Sequence, residues 1–147
     1  MPGYGIPKNK KGLLPWKWAD DRLHKSHNYW ISTTKPDGSP HTMVIWGLWL
    51  DGAFLFSTGN ESRKARNLAL NPRCVIGTEK ANEAVIVEGT VETTTDPHLR
   101  KKFVSLYQRK YKWDMSSFDD PIYVVQPHVA FGLFEKDFTG KATRWDF

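Results

Sequence analysis

The stretch Phe56-Ser57-Thr58-Gly59-Asn60-Glu61-Ser62-Arg63-Lys64 has the residue types and order to hold an anion. It reads as a strand that ends in two hydroxyl residues, turns through glycine and enters a helix with adjacent cations in its first turn. Free N–H groups and the positive dipole end make a helix start favourable for an anion. Serine and threonine add donors, and arginine and lysine add charge-assisted bonds to phosphate oxygens. Ser57, Thr58, Ser62, Arg63 and Lys64 are therefore candidate phosphate-binding residues. The plainer alternative is a capped surface helix, and Glu61 favours it, because a carboxylate there repels phosphate unless it turns away.

Other chemical templates fail. Gly3-Tyr4-Gly5 has no preceding strand and no third glycine, so it is not a dinucleotide fingerprint, and there is no Walker-type loop. His24 and His27 are spaced for one helical face, but a metal would need a third ligand such as Asp20, and a pair of surface histidines is the simpler reading. Cys74 beside Val75 and Ile76 reads as a small core residue. Ser105 and Ser117 lie in no nucleophile elbow. Asp20-Asp21 and Asp119-Asp120 read as surface. An anion cradle without an acid, base or nucleophile set points to a bound cofactor as the source of reactivity. Trp30, Trp46, Trp49 and Trp145 are candidates to wall a planar ring, with core packing as the default for each.

The elements that must position these residues follow from composition and period. The 147 residues fit one domain and carry 21 Lys and Arg against 16 Asp and Glu, a net charge of +5. Seven Trp, five Tyr and eight Phe supply a core despite a mean hydropathy of -0.55, which excludes a disordered or collagen-like chain. A single cysteine excludes an internal disulfide and a cysteine zinc cluster. Met1–Trp18 has no apolar run of signal-peptide type, and Thr42–Leu50, the longest apolar stretch, is far shorter than the roughly 20 residues of a membrane helix. A cytoplasmic location is the expectation. Lys8, Lys10 and Lys11, and Arg100, Lys101, Lys102, Arg109, Lys110 and Lys112, form two basic clusters that suit an acidic partner or a solvated surface.

A helix is predicted from Pro15 to about His27, a second over Arg63–Leu70, and a third launched by the Asp96-Pro97 cap with Leu99, Phe103, Leu106 and Tyr107 on its apolar face. Strands are predicted at Tyr29–Lys35, His41–Leu50, Ala53–Thr58, Arg73–Thr78, Ala84–Thr93, Ile122–Val125, Val129–Lys136 and Ala142–Phe147. His41–Leu50 carries large residues on both faces, so cover on both sides is expected. Asp51-Gly52 is a hairpin signal. The fold class is mostly β with flanking helices (α+β), a closed or partly closed antiparallel barrel of six or seven strands with about three helices.

The order Asp37-Gly38-Ser39-Pro40-His41, the Val/Trp-rich strand, Asp51-Gly52, Phe56-Ser57-Thr58, Ser62-Arg63-Lys64, Asn67-Leu68 and Asn71-Pro72 resembles the pyridoxamine-5′-phosphate-oxidase-like split β-barrels, which include flavin and deazaflavin oxidoreductases. The likeness runs on through Val87-Glu88-Gly89 to Thr143-Arg144-Trp145. It implies a homodimer with a cofactor at each subunit interface, either coenzyme F420 or FMN. Ser57 and Thr58 would contact the ribityl phosphate, with Arg63 and Lys64 neutralising it and Ser62 and Asn67 belonging to the same motif. Thr42, Met43, Val44, Ile45 and Trp46 would run along the ring, partly through backbone groups. Arg144 and Trp145 would reach the cofactor of the partner subunit. The chain has Ala84 where the oxidase proper has a glutamine near the ring, so vitamin B6 oxidation is not expected. The resemblance leans to the F420 branch, and Lys8, Lys10 and Lys11 suit that cofactor's polyglutamate tail.

The expected activity is transfer of a hydride between this cofactor and a small organic substrate stacked on its ring, with Trp46, Trp49 and Tyr29 as pocket walls. Two other readings stand beside it. One is a non-catalytic flavin or haem carrier, with His41 or His128 as axial ligand. The other is a nucleic-acid module on the basic third helix.

Overall fold

The computed structural model describes residues 13–147. Its elements run α1 (Trp16–Lys25), β1 (Tyr29–Thr34), β2 (Pro40–Ile45), β3 (Leu48–Leu50), β4 (Ala53–Phe56), α2 (Arg63–Leu70), β5 (Arg73–Thr78), β6 (Glu83–Thr94), α3 (Pro97–Tyr111), β7 (Ile122–Phe134), a 3-10 turn (Glu135–Asp137), a one-turn α4 (Phe138–Lys141) and β8 (Thr143–Asp146). The strands form one antiparallel sheet in the order β2-β1-β5-β6-β7-β4-β3, with β8 on the free part of β7. β2 and β3 lie at opposite ends of this order but are joined only by Trp46 and Gly47. The sheet must therefore curl until its two edges meet, which gives the split β-barrel expected from the sequence.

Two strand assignments differ from the sequence reading. His41–Leu50 is not one strand, because the chain leaves the β1 ladder after Ile45 and joins β4 at Leu48. Gly47 permits this corner, since a Cβ there would lie 2.7 Å from Leu55 O and would overlap the Phe54 ring. Conversely, Ile122–Val125 and Val129–Lys136 merge into β7. Pro127, which has no N–H to donate, sits at a bulge where the register shifts between Glu88 and Gly89. Gly89 is needed there because a Cβ would approach Gln126 O to 2.5 Å. We expect Gly47→Val to cost at least about 1–3 kcal/mol of stability, as overpacking of a tight core site does, read as a lowered denaturant midpoint with unchanged slope.

The barrel interior holds Leu23, Tyr29, Ile31, Trp49, Phe54, Phe56, Ile76, Val85, Val87 and Val125. A second cluster, Leu48, Leu55, Phe103, Tyr107, Tyr111 and Ile122, lies under α3. β4 alternates between them, with Phe54 and Phe56 inward and Ala53 and Leu55 toward α3, and Asp51 and Gly52 turn the β3–β4 hairpin with positive φ. The expected two-sided cover holds for β3, whose Leu48 and Trp49 are both buried, and fails for β2. There Met43 and Val44, on opposite faces, are 49% and 47% exposed, because β2 is an edge strand with only β1 beside it.

The helices match their sequence signals, with one shortened end. Ser62 caps α2 by accepting from Ala65 N, and Asp96 caps α3 by accepting from His98 N. α1 stops at Lys25 rather than near His27, because Ser26 turns extended and donates to Asn28 O. His24 and His27 therefore do not share a helix face. His27 packs on Trp46 and Tyr111, while His24 lies 3.6 Å from Asp20. Among the described residues, no three His, Cys, Asp or Glu side chains are grouped to hold a metal ion, and no helix is long and apolar enough to cross a membrane.

Candidate functional site

β4 delivers the chain to the cradle. Thr58 Oγ1 donates to Ser62 Oγ at 3.0 Å, and Ser62 Oγ accepts the Ala65 N–H at 3.1 Å. Ser57 Oγ donates to Pro121 O at 3.3 Å, a long bond that holds the strand end to the segment before β7. The cap takes the third orphan N–H of α2, so the N–H groups of Arg63 and Lys64 keep no intrahelical acceptor. Among the described residues, neither side chain has a carboxylate within ion-pair distance. Burial without a counterion pulls the Lys64 ammonium below the ordinary lysine value. Glu61, the objection raised by the sequence, is an exposed carboxylate held by Arg66 at 2.9 Å.

The tertiary fold adds what faces this cradle. Arg63 shares an open groove of about 500 Å³ with Lys35, Pro36, Asp37 and His41 of the β1–β2 hairpin. Asp37, exposed at the hairpin turn, accepts from Ser39 N at 3.0 Å and Ser39 Oγ at 2.6 Å, and these bonds hold its carboxyl below the usual carboxylate range. Of the α2 candidates, Arg63 thus opens toward the β1–β2 hairpin and the start of the exposed strand β2. Lys35 was not among the sequence candidates and His41 only as a haem ligand, since only the tertiary fold brings the hairpin beside Arg63. His41 Nδ1 is buried without a partner.

Along β2, Thr42 bonds Ser32 through their hydroxyls at 2.9 Å, and Met43 and Val44 stand open. Two expected ring contacts are otherwise engaged. Ile45 is buried in the barrel core, and Trp46 stacks on Tyr111 at 4.5 Å with an interplanar angle of 9°, its Nε1 donating to Asn28 Oδ1. Trp49 and Tyr29, expected as pocket walls, are core residues. Trp49 donates to Asp20, and Tyr29 packs on Phe54. Asn67 is also misplaced by the sequence reading. It is fully buried and cannot touch a ligand; instead its amide donates to Thr33 Oγ1 at 3.0 Å, tying α2 to β1. Its position on the inner face of α2, beside Leu68, decides this.

Arg144 and Trp145 lie on β8, separated from β2 in the sheet by β7, β6, β5 and β1. Arg144 pairs with Asp146 at 3.0 Å, and Trp145 packs edge-on against Trp16. Within one chain they are not brought to the cradle. Arg144, unlike Trp145, which packs on the barrel core, does share the outer sheet face with β2: the register aligns Val44, Trp30, Gly77, Ile86, Phe131 and Arg144 in one row across five ladders. Trp30 in that row is 48% exposed. Lys8, Lys10 and Lys11, the expected tail-binding cations, lie outside the described residues, as does Gly3-Tyr4-Gly5. Leu14, the end of the N-terminal segment, is buried with its N–H on Thr143 Oγ1.

The residues 17–134 match the family model described as pyridoxamine 5′-phosphate oxidase. The chain belongs to the pyridoxamine 5′-phosphate oxidase family. Solved structures agree on the fold. An F420 reductase is 22% identical, with a TM-score of 0.62 over 76% of this chain and 94% of its own. A FAD-binding protein from Mesorhizobium loti is 16% identical, with a TM-score of 0.66 over 80% of this chain and 90% of its own. A haem-binding protein from Mycobacterium smegmatis is 16% identical, with a TM-score of 0.67 over 91% of this chain and 59% of its own. No curated protein matches the sequence. For this member of the oxidase family, Cys74 is no nucleophile, because burial pushes its thiol up to about 12.

The basic face expected on α3 is largely dismantled by the fold. Arg100 donates to Phe118 O and Asp120 O, both at 2.6 Å, so it serves as a loop clamp. Lys102 lies 3.5 Å from Asp51. Lys110 points into the protein, donating to Tyr29 Oη at 2.7 Å and Gly47 O at 3.1 Å. The sequence carried a signal for this, since position 110 is seven residues after Phe103 on the buried stripe.

Burial lowers the Lys110 ammonium to about 8, with Glu79 opposing the shift. Between about pH 8 and the unfolded lysine value of about 10.4, the unfolded chain holds more protons at this site, so its contribution makes stability rise with pH. Above about pH 10 the buried Tyr29 and Tyr111 hydroxyls, both raised by burial, reverse the slope. Denaturant titrations from pH 7 to 10 should show this rise in the wild type and lose it in Lys110→Met.

Proposed function

We propose that this chain is an oxidoreductase that binds a flavin-type cofactor, coenzyme F420 or FMN, with its phosphate at the start of α2 and its ring along β2. The observation that carries this reading is the adjacent cations Arg63 and Lys64 at the start of α2, without carboxylate partners among the described residues, with Arg63 in a groove shared with His41 of the edge strand β2. The donor set fits a phosphate: two N–H groups at the start of α2 and two adjacent cations without carboxylate partners among the described residues, to which the Ser57 and Thr58 hydroxyls would add only by turning from Pro121 O and Ser62 Oγ. The cofactor, when bound, supplies the hydride chemistry. The protein's own residues bind, orient and exclude water. Arg63 and Lys64 fix the phosphate end, the exposed Thr42 to Val44 edge takes the ring, and neighbouring apolar surface keeps the reacting faces dry. In this reading a substrate proton is taken from solvent. Ala84 in place of the glutamine speaks against pyridoxamine phosphate as the substrate.

The working unit of this reading is a homodimer. The outer-face row from Val44 through Trp30, Ile86 and Phe131 to Arg144 is apolar at its centre and too exposed for a free surface. A two-fold contact through this row would set Arg144 of the partner subunit against β2, completing the site from the second chain. Titration with FMN and, separately, with F420, followed by tryptophan fluorescence, tests the reading; binding of neither by a folded protein overturns it. A haem carrier is the second reading, favoured by the buried, unpartnered His41 Nδ1 beside Arg63. A Soret band on adding haem, lost in His41→Ala, would establish it in place of the flavin.

A further inference from the structure

A second depression of about 400 Å³ lies away from the α2 cradle, between α1, β3 and α3. Its apolar lining comes from Leu48, Leu50 and Leu106, and its polar lining is His24, Arg109 and Lys110. The lining holds no carboxylate. At its edge Asp20 accepts from Trp49 Nε1 at 2.8 Å and lies 3.6 Å from His24, and Glu79 is the carboxylate whose charge acts on Lys110. Lys110 is the unusual member. Tyr29 donates its own hydrogen to Leu23 O, so its oxygen receives one Lys110 N–H, and Gly47 O receives a second. The third has no oxygen or nitrogen acceptor among the described residues, though the ammonium lies 4.6 Å from the Tyr29 ring centroid and 5.2 Å from that of Tyr111. Neither Lys110 nor the exposed Arg109 has a carboxylate within ion-pair distance among those residues.

The ionisable groups around Lys110 are Tyr29 on β1, Tyr107 and Tyr111 on its own helix, His24 on α1, and the more distant Glu79 and Arg109. All three tyrosines stay neutral through the lysine's range, because burial raises them. A half-buried amine with one unused N–H, on leucine walls beside a second cation, is complementary to a compound with one negative end and an apolar body. We propose that this pocket binds an amphiphilic monocarboxylate, with its carboxylate on Lys110 and Arg109 and its apolar body on Leu48, Leu50 and Leu106. Bound carboxylate favours the ammonium form, so above about pH 8 binding draws one proton from solvent, and the third N–H it creates is the one given to the ligand.

The probe is 4-phenylbutyrate, with neutral 4-phenyl-1-butanol as control, titrated against the full chain by tryptophan fluorescence and by calorimetry. The carboxylate should bind at least about tenfold more tightly than the alcohol, the difference one charge-assisted hydrogen bond makes. Its affinity should fall by about tenfold or more between pH 7 and pH 9.5, and heats in buffers of different ionisation enthalpy should show proton uptake at pH 8.5. Lys110→Met should lose the carboxylate preference and the proton uptake. Arg109→Gln, at an exposed position, should weaken carboxylate binding severalfold and serves if Lys110→Met fails to fold. Equal affinity for acid and alcohol, binding independent of pH, unchanged binding in Arg109→Gln, or no binding at millimolar ligand would each overturn the proposal.

Discussion

Replacing Arg63 and Lys64 together with alanine is expected to weaken binding of whichever cofactor the protein takes by more than tenfold, without unfolding it. Each side chain would give the phosphate a charge-assisted hydrogen bond, and such bonds contribute about 1.5–3 kcal/mol, while 1.4 kcal/mol is a factor of ten. The helix itself should survive, because its start is held by Ser62 through Ala65 N and by Asn67 through Thr33, neither of which is touched. Both substituted cations lack carboxylate partners among the described residues, so no buried acid is stranded. The measurement is quenching of the seven tryptophans on titration, with circular dichroism as the folding control. Unchanged affinity in a folded double variant would remove the phosphate from α2.

The second large effect is expected on assembly. Trp30→Asp should convert the homodimer to monomer at micromolar protein, read by light scattering. Trp30 is the most exposed large ring of the outer-face row, beside the edge residue Val44, where it can anchor an interface, and losses at such anchors commonly exceed about 2 kcal/mol. In a two-fold contact the substitution acts twice. Its side chain is half exposed in the single chain, and its neighbour Gly77 leaves open space, so the monomer fold should tolerate the change. If the dimer reading is right, cofactor affinity falls with it, because β8 of the partner subunit is withdrawn. A wild-type chain that is already monomeric, or a variant that stays dimeric, would place the interface elsewhere or nowhere.

Local signals were read well where the cause is local. The Ser62 and Asp96 caps, the Asp51-Gly52 turn and the α2 boundaries depend on side chains within a few residues of one another. The misreadings came where a distant element decides. A continuous apolar run looked like one strand because the corner at Gly47 is made by Phe54 and Leu55, not by a turn residue visible in the run. β7 looked like two strands because Pro127 usually ends pairing, and here a bulge against Gly89 accommodates it. Trp46 and Trp49 could each have faced a ligand by period alone. Their hydrogen bonds to Asn28 and Asp20, from other elements, turned both to packing roles.

Residue types and short spacings already carried the β-rich barrel of the oxidase family and a capped α2 with two adjacent cations. Each of these rests on residue type and short spacing, which the linear chain carries in full. Only the tertiary structure decided which candidates share a site. It buried Asn67 and Ile45, turned Lys110 onto Tyr29 and Gly47, and set Arg63 in a groove with the β1–β2 hairpin. The reason is physical: whether a charged or aromatic side chain is available depends on what lies opposite it, and in a curled sheet the opposite residue is tens of positions away in the chain.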